Sequence, residues 1–278
     1  MKKLNIGVVG HTGMVGSQVY SFFKTKLPTF GVSKHPSGKL IGSWTRLNEN
    51  CEVIFVCVPT PYNFKTKRPD FGIVEEVLKK IDGGKIAVIK STIWPGTTES
   101  LQKKHRHLKL LFNPEFLSRS TAKQDFLNPD RQIVGYTKKS KSHSTKILRL
   151  LPKGKYNKTI KSSEAELIKY SHNVYGAMRI IYANHLYDVC RKLSINYDEV
   201  KNGFAASEFV GPGALRYMNI FHNGKRGYAG PCFPKDVNAY IDFCNEIGVD
   251  AELVKATRAA NKRILSDQGL KEEGVEGL

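Results

Sequence analysis

The first half of the chain alternates short apolar runs with segments of helical periodicity. The run at residues 52–61, EVIFVCVPTP, has the pattern of a strand covered on both faces, and it ends in two prolines. Residues 71–81, FGIVEEVLKKI, instead carry apolar side chains at helical spacing. Further apolar runs occupy residues 4–9, 85–90, 108–112 and 131–135. This alternation predicts an α/β fold with a doubly wound, mostly parallel sheet, whose ligands bind at the carboxyl ends of the strands. The turns at Thr60, Thr92 and Glu115 each follow a strand, so we expect them to gather at that edge of the sheet.

A long amphipathic segment, residues 162–194, opens the second half. Ser163 and Glu166 have the spacing of a capping box, and the apolar positions predict one continuous helix of about 45 Å. We therefore expect two domains: residues 1–160, and residues 161–278 with this long central helix and a small all-helical domain. The roughly 80 residues after this helix do not readily bury all of its apolar surface. A homodimer is therefore favoured, because a second copy can bury the rest. The face expected to form it carries Leu167, Val174, Met178 and Ile181.

A glycine-rich turn follows the first apolar run. Gly10, Gly13 and Gly16 form G-x-x-G-x-x-G between a strand and a helix, which favours a turn where backbone approaches a pyrophosphate. This predicts a Rossmann-like first domain that binds a dinucleotide. The acidic residue expected about 20 residues further on is absent. The corresponding stretch, residues 33–35, reads Ser-Lys-His, which suits a 2′-phosphate or a simple basic loop, so NAD and NADP both stay open.

Bulk properties narrow the functional class. The net charge is +19, which suits nucleic acid, anionic dinucleotides or nucleotide sugars, although each basic cluster by itself is typical of a solvated surface. The five cysteines form no C-x-x-C pair, which fits a reducing compartment, and no metal site is indicated. No apolar run has the length of a membrane span or a signal peptide, so we expect a cytoplasmic protein.

The segment GYAGPCFPKD, residues 227–236, carries the strongest candidate chemistry. Cys232 is expected at a loop-to-helix junction, where backbone N–H groups and the helix dipole favour a thiolate. A small buried hydrophobe is the ordinary alternative for such a cysteine, but Lys235 and Asp236 nearby favour a nucleophile. Lys169 and Asn173 lie four residues apart on one face of the long helix, where a solvated pair is the ordinary alternative.

Several ordered motifs resemble the UDP-glucose/GDP-mannose dehydrogenase family. They are the glycine turn, CVPTP (57–61), KSTIWPGTT (90–98), FNPEFLSRSTA (112–122), NPDRQIVG (128–135), the helix around AELIKYSHN (165–173) and GPCFPKD (230–236). The resemblance implies an oxidoreductase that uses NAD to convert the C6 alcohol of a nucleotide sugar to a carboxylate through a cysteine thiohemiacetal and thioester. GDP-mannose or a UDP-N-acetylhexosamine are alternative substrates, and a non-catalytic basic module for nucleotides or nucleic acid is the alternative of another class. The cysteine, lysine, asparagine and aspartate favour the enzyme and make nucleic acid a poor fit.

The resemblance also implies roles for individual residues. Cys232 is the nucleophile, Lys169 and Asn173 hold the oxygen of the covalent intermediate, Glu115 and Thr92 position water, and Asp236 orients groups around the cysteine. The cofactor is expected at Gly10, Gly13, Met14, Val15, Gly16, Pro59, Thr60, Ser91 and Lys235. The sugar nucleotide is expected at Phe116, Leu117, Gly230 and Arg216, the arginine reaching it from a partner subunit.

Three departures from the family pattern qualify these expectations. Arg119 stands where the family has a second glutamate after NPEFL, and the segment between the glycine turn and CVPTP is short. The chain is also expected to lack the third domain that grips the nucleotide diphosphate. We expect either that Lys225 and Arg226, in the basic loop at residues 222–227, replace that grip, or that a separate chain supplies the domain.

Overall fold

The computed structural model describes residues 4–35, 37–211 and 213–271. Its strands are β1 Ile6–Val9, β2 Thr29–Lys34, β3 Leu40–Ile41, β4 Val53–Val56, β5 Tyr62–Asn63, β6 Arg68–Pro69, β7 Ile86–Ile89, β8 Lys109–Phe112, β9 Arg131–Tyr136 and β10 Tyr156–Lys161. Its α-helices are α1 Met14–Lys24, α2 Trp44–Asn50, α3 Gly72–Lys79, α4 Thr97–Lys104, α5 Ala122–Leu127, α6 Lys141–Leu150, α7 Ser162–Leu193, α8 Tyr197–Ala205, α9 Phe233–Glu246 and α10 Glu252–Ser266. A 3-10 helix covers Ala214–Tyr217.

The chain divides into two compact units, and the division falls inside α7. The first unit comprises the chain up to Pro61 together with Pro69–Lys169, and the second comprises Tyr62–Arg68 and the chain from Tyr170 onward. Residues 62–68 group with the second unit because Tyr62 donates a hydrogen bond to Asp242 of α9.

An eight-stranded sheet organises the first unit, in the order β10-β9-β8-β7-β4-β1-β2-β3. The predicted doubly wound, mostly parallel sheet is confirmed, with antiparallel pairing between β8 and β9 and between β2 and β3. Alternate residues of the central strands enter different cores: Val9 and Ile54 lie in one, Val8 and Phe55 in the other. Burial on both faces explains why these strands read as continuous apolar runs.

The second unit is built on helices, as the sequence predicts. Residues of α7, α9 and α10 share a core that includes Val174, Ala177, Val237 and Val254. The long central helix is confirmed as a continuous element of 32 residues, Ser162–Leu193. Among the described residues, no helix is both long and apolar enough to cross a membrane.

Candidate functional site

The glycine turn has the geometry that a dinucleotide requires. Gly10 has φ +83°, and a Cβ there would lie 2.2 Å from the carbonyl oxygen of Cys57. A Cβ on Gly16 would lie 2.1 Å from the carbonyl oxygen of Gly10, so this glycine allows α1 to pack closely against the turn. Gly13 is the N-cap of α1, with no side-chain cap and no acidic residue in the first turn, which begins with Met14 and Val15. The helix N-terminus therefore fits a pyrophosphate.

The end of β2 lies directly beside this turn. The Ser33 hydroxyl accepts a hydrogen bond from the backbone N–H of Thr12 at 3.1 Å and bonds to Nδ1 of His11 at 2.8 Å. Ser33 is buried, whereas Lys34 and His35 after it are exposed. Among the described residues at this strand end, Ser33, Lys34 and His35, none carries a carboxylate.

The turns after β4 and β7 join at the carboxyl edge of the sheet. Thr60 Oγ1 donates to the carbonyl oxygen of Thr92 at 2.8 Å. Ser91 Oγ donates to the carbonyl oxygen of Val58, the residue before Pro59, at 2.6 Å and accepts from the N–H of Val58 at 3.1 Å. The prediction that these turns gather at one edge of the sheet is confirmed. Their roles toward a cofactor stay predictions.

Glu115, after β8, forms a buried ion pair with Lys169 of α7. Lys169 Nζ lies 2.8 Å from Glu115 Oε1, and the backbone N–H of Leu117 donates to Oε2 at 2.8 Å. Burial alone would raise the pKa of Glu115, but Lys169, the N–H of Leu117 and Lys90 together hold it below its ordinary value. The Lys169 ammonium also lies 5.6 Å from the centre of the Phe116 ring. The first unit thus holds an ionised carboxylate and a cation together.

Lys90 is a residue that the sequence analysis did not single out. Its side chain is buried at the end of β7, and Nζ donates to Asn113 Oδ1 at 2.7 Å. Burial lowers its pKa to about 8, against the attraction of Glu115. A lysine directly before the S-T-I-W-P turn was the available signal, but lysines at strand ends are common on surfaces. Lys90 supplies a second cation near Glu115.

The predicted capping box of α7 is wrong. Glu166 does not reach back to its own helix; it accepts hydrogen bonds from the N–H groups of Gly96 and Thr98 at 2.6 and 2.8 Å, at the start of α4. The N-terminus of α7 is capped instead by Glu164, which accepts from the N–H of Lys161 at 2.9 Å. Burial raises the pKa of Glu166 to about 7, although the Thr98 and Gly96 donors oppose that shift. The spacing of Ser163 and Glu166 is compatible with a capping box and with the observed bonds to α4. Only tertiary packing decides between the two.

Cys232 is the N-cap residue of α9, so the predicted loop-to-helix junction is confirmed. Pro234 follows in the first helical turn, and the N–H of Asp236 donates to the carbonyl oxygen of Cys232 at 3.0 Å. Gly230 precedes it with φ +80°, a conformation that favours glycine. Cys232 is exposed, whereas Cys51, Cys190 and Cys244 are buried and Cys57 is intermediate. Burial raises the pKa of Cys51 to about 11 and that of Cys57 to about 12.

Asp236, one helical turn after Cys232, collects two polar partners. Asn173 Nδ2 donates to its Oδ2 at 2.5 Å, and Lys235 Nζ lies 2.5 Å from its Oδ1. The Asp236 and Asn173 side chains are almost completely buried. The sequence assigned Lys235 to the cofactor, but here the ammonium pairs with the neighbouring carboxylate.

Residues of α10 and of the turn after it hold the loop that leads to Cys232. The sequence analysis did not predict this anchoring. Asn261 accepts from the N–H of Tyr228 at 2.8 Å and donates to its carbonyl oxygen at 2.9 Å. Gln268 makes the same pair of bonds to the backbone of Arg226, at 2.8 and 3.2 Å. Asn261 lies on α10 and Gln268 in the turn that follows it, and nothing in the sequence indicates the partners of these two amide side chains.

The basic loop at residues 222–227 differs from expectation. The Arg226 guanidinium lies 2.8 Å from the Asp188 carboxylate, bonds to Asn184 and sits 4.9 Å from the centre of the Tyr187 ring. This arginine anchors the loop to α7, and its expected use with Lys225 as a diphosphate ligand stays a prediction. Arg216 is an exposed residue of the 3-10 helix, and its role toward a partner's substrate stays a prediction.

The expected dimer face of α7 is also wrong, for a physical reason. Val174 is buried, and Met178 and Ile181 pack against the core of the second unit; of the expected residues, Leu167 is exposed. The apolar side chains of α7 that remain at least 38% exposed after Leu167 lie on another stripe: Tyr175, Tyr182, Val189 and Leu193.

The glycine turn, the doubly wound sheet and the exposed Cys232 near the buried Asn173–Asp236 pair indicate a dinucleotide-binding protein with a candidate covalent catalyst. Residues 12–151 match the NAD binding domain of the UDP-glucose/GDP-mannose dehydrogenase family, and residues 163–263 match its central domain. The chain belongs to this family.

Individual relatives and solved structures agree. The chain is 30% identical over 228 residues to the UDP-glucose 6-dehydrogenase of Rickettsia felis, covering 77% of this chain and 48% of the relative. It is 31% identical over 223 residues to that of Rickettsia prowazekii, covering 77% and 50%. The fold is shared with a UDP-glucose dehydrogenase from Pyrobaculum islandicum, with a TM-score of 0.79, 23% identity and coverage of 96% of this chain and 71% of the other. A GDP-mannose dehydrogenase from Pseudomonas aeruginosa gives a TM-score of 0.64 at 21% identity, covering 96% and 69%. The chain spans about half the length of the curated relatives it matches.

Proposed function

We propose that the chain catalyses the NAD-dependent oxidation of a nucleotide sugar at C6, from the alcohol to the carboxylate. UDP-glucose is the first substrate to test, because the relatives cited above are UDP-glucose 6-dehydrogenases. The observation that carries the proposal is the position of Cys232: it is exposed at the start of α9, one turn before the buried carboxylate of Asp236. A fold that only binds nucleotides needs neither group.

The chemistry explains why a cysteine is required. Oxidation of a primary alcohol to a carboxylate removes four electrons, and the intermediate aldehyde must be held between two hydride transfers. The first hydride leaves C6 while the hydroxyl loses its proton, and the thiolate of Cys232 then adds to the aldehyde carbon. The second hydride leaves the resulting thiohemiacetal to give a thioester. Water adds to the thioester, the thiolate departs, and the carboxylate is released. NAD, when bound, accepts one hydride in each oxidation.

The charges and hydrogen-bonding groups of the other candidate residues suggest their roles in this reaction. The N-terminus of α9 favours negative charge, which suits the thiolate of its N-cap residue. Lys169 and Asn173 are proposed to donate to the oxyanion that forms at C6. Glu115 is held ionised, as a base for the hydrolytic water must be, with Thr92 as a second positioning group.

The test is a turnover assay of the purified chain with NAD and a panel of UDP-glucose, GDP-mannose and UDP-N-acetylhexosamines. We expect two molecules of NADH to form for each molecule of sugar acid. Mass spectrometry identifies the acid. Cys232→Ser should release no acid yet bind NAD as the wild type does. Cys190→Ser, a buried cysteine of α7, is the control. Acid formation at the wild-type rate by Cys232→Ser would refute the covalent mechanism.

A second measurement tests the nucleophile without turnover. Iodoacetamide should alkylate Cys232 first, because it is the exposed thiol and burial raises the pKa of Cys51 and Cys57 to about 11 and about 12. A nucleotide sugar should slow this reaction at Cys232. Peptide mass spectrometry identifies the labelled residue.

The proposal extends to assembly. We propose a homodimer through the exposed stripe of α7, where Tyr175, Tyr182 and Val189 repeat every seven residues. Light scattering at micromolar concentration should give twice the chain mass, and Tyr182→Asp should give the monomer.

If the chain is inactive but binds NAD, addition of a separate protein carrying a nucleotide-binding domain should restore turnover. If the basic surface replaces that domain instead, the KM for the nucleotide sugar should be high and should rise with salt.

A further inference from the structure

The first strand–helix–strand unit of the chain contains no carboxylate. The sequence has no Asp or Glu before Glu49, while lysines occur throughout this stretch. In dinucleotide-binding folds, a carboxylate at the end of the second strand accepts hydrogen bonds from the ribose and repels a 2′-phosphate. The group that would exclude a 2′-phosphate is therefore absent from this part of the sequence.

The structure shows which residues occupy the position. The Ser33 hydroxyl lies 3.1 Å from the N–H of Thr12, which fixes the end of β2 against the glycine turn. Ser33 is only 4% exposed, and its bonds to Thr12 and His11 hold it in the fold. The residues that follow at this end, Lys34 and His35, are exposed. Two basic side chains thus stand where a ribose-binding carboxylate is expected.

The first carboxylates along the chain lie at the opposite edge of the sheet. The N–H of Glu52 donates to the carbonyl oxygen of Asn5 at 3.3 Å, and Asn5 Nδ2 donates to the carbonyl oxygen of Asn50 at 3.0 Å. Asn5 directly precedes β1, whose four residues span about 13 Å before the glycine turn. The end of α2 that carries Glu49 is therefore remote from the end of β2.

We propose that the dinucleotide site of the first unit accepts NADP as well as NAD, with Lys34 and His35 receiving the 2′-phosphate. The proposal rests on the dinucleotide cofactor of the proposed function and adds its specificity. NAD still binds because the glycine turn and the N-terminus of α1 hold the pyrophosphate that both cofactors share. The 2′-phosphate gains two basic neighbours and meets no carboxylate from the first strand–helix–strand unit.

Calorimetric titration of the purified chain with NAD and with NADP measures this without turnover. We expect a Kd for NADP no more than about tenfold above that for NAD, and a ratio of the NADP Kd to the NAD Kd that rises as salt screens the 2′-phosphate. Lys34→Ala should weaken NADP binding by about fivefold and leave NAD binding unchanged. Lys34→Glu should weaken NADP binding further. Lys26→Ala, an exposed lysine that follows α1 at the other end of the helix, is the matched control and should change neither Kd.

The outcomes separate this proposal from the proposed function. NAD binding with NADP at least a hundredfold weaker would overturn the specificity and leave the dehydrogenase assignment intact. An unchanged NADP to NAD ratio in Lys34→Glu would likewise overturn the role of Lys34. Failure to bind either dinucleotide would overturn the cofactor assignment and the proposed function with it. Titration with 2′-phospho-ADP-ribose and ADP-ribose should reproduce the ratio, because the difference lies in the adenosine half.

Discussion

Asn173 Nδ2 donates to Asp236 Oδ2 at 2.5 Å, which joins α7 to the first turn of α9. Asn173 is 5% exposed and Asp236 1%, so the bond is shielded from water. An asparagine amide has two hydrogens, and a carboxylate that holds one of them fixes the direction of the other. Asp236 therefore sets the orientation of the amide that the proposed mechanism uses.

Asp236→Asn should weaken both this bond and the pair with Lys235. The substituted amide presents an NH₂ group to one of two donors, so one hydrogen bond to a charged group is lost. We expect the free energy of unfolding to fall by about 2 kcal/mol. The rate at which the sugar acid forms should fall by roughly a hundredfold. Urea denaturation and the turnover assay measure the two effects.

Asp250→Asn is the control for loss of a negative charge. Asp250 lies 3.4 Å from Lys255 on the surface and its side chain is 70% exposed, so its substitution should cost less than about 1 kcal/mol. Equal losses in the two variants would contradict the role given to Asp236.

The ion pair of Glu115 and Lys169 gives a second prediction. Lys169→Met keeps the length of the side chain but leaves the buried Glu115 carboxylate without its strongest partner. Removing one member of a buried pair costs about 3–5 kcal/mol, so the free energy of unfolding at pH 8 should fall by that order. The pKa of Glu115 should rise, since burial then acts with less opposition. Turnover should be lost while NAD still binds.

Lys192→Met, an exposed lysine in the last turn of α7, controls for the loss of a helix cation. Its free energy of unfolding should stay within about 1 kcal/mol of wild type. If Lys169→Met were as stable and as active as this control, the ion pair would have neither role.

Glu166→Gln tests a buried carboxyl whose pKa is raised from 4.5 to about 7. Between these pH values the folded protein holds a proton that the unfolded chain releases. The free energy of unfolding therefore falls as pH rises through this window, by up to about 3 kcal/mol for this group. Glutamine does not titrate, so wild-type stability relative to the variant should decrease from pH 5 to pH 7 and be constant above. Urea denaturation at each pH measures it.

Glu164→Gln, an exposed neighbour on the same helix, is the matched control for the loss of a carboxylate. A stability difference for Glu166→Gln that is independent of pH would show that Glu166 does not titrate in this range.

The sequence predicted those features that short-range patterns determine. Continuous apolar runs identified the strands because both faces of the sheet are covered, and the turns at Thr60 and Thr92 met because each follows a parallel strand. The position of Cys232 followed from glycine before it and proline after it.

Features that depend on tertiary partners were missed. Glu166 has the spacing of a capping box, yet its carboxylate oxygens accept hydrogen bonds from backbone N–H groups at the start of α4. Helical periodicity revealed apolar stripes on α7, but it does not say which stripe the rest of the chain covers, so Val174 and Met178 were assigned to a dimer. Arg226 was interpreted as a free charge because Asp188 lies 38 positions earlier in the sequence.

The anchoring of the cysteine loop by α10 gives the last prediction. Asn261 bonds to both the N–H and the carbonyl oxygen of Tyr228, four residues before Cys232, and its side chain is fully buried. Asn261→Ala removes both bonds and leaves two buried backbone groups without these partners. We expect the free energy of unfolding to fall by about 2–4 kcal/mol. The rate of Cys232 alkylation should change as well, because the loop loses its fixed path, while NAD affinity should not.

Asn245→Ala, an exposed asparagine of α9, is the matched control and should alter neither stability nor alkylation. The alkylation rate separates positioning from general stability, provided that it is measured in buffer where both variants remain folded. Loss of stability with an unchanged alkylation rate would mean that Asn261 supports the second unit without fixing Cys232. A changed alkylation rate that reverts in Asn261→Gln would instead indicate that an amide at this position, through its bonds to Tyr228, holds the thiol in place.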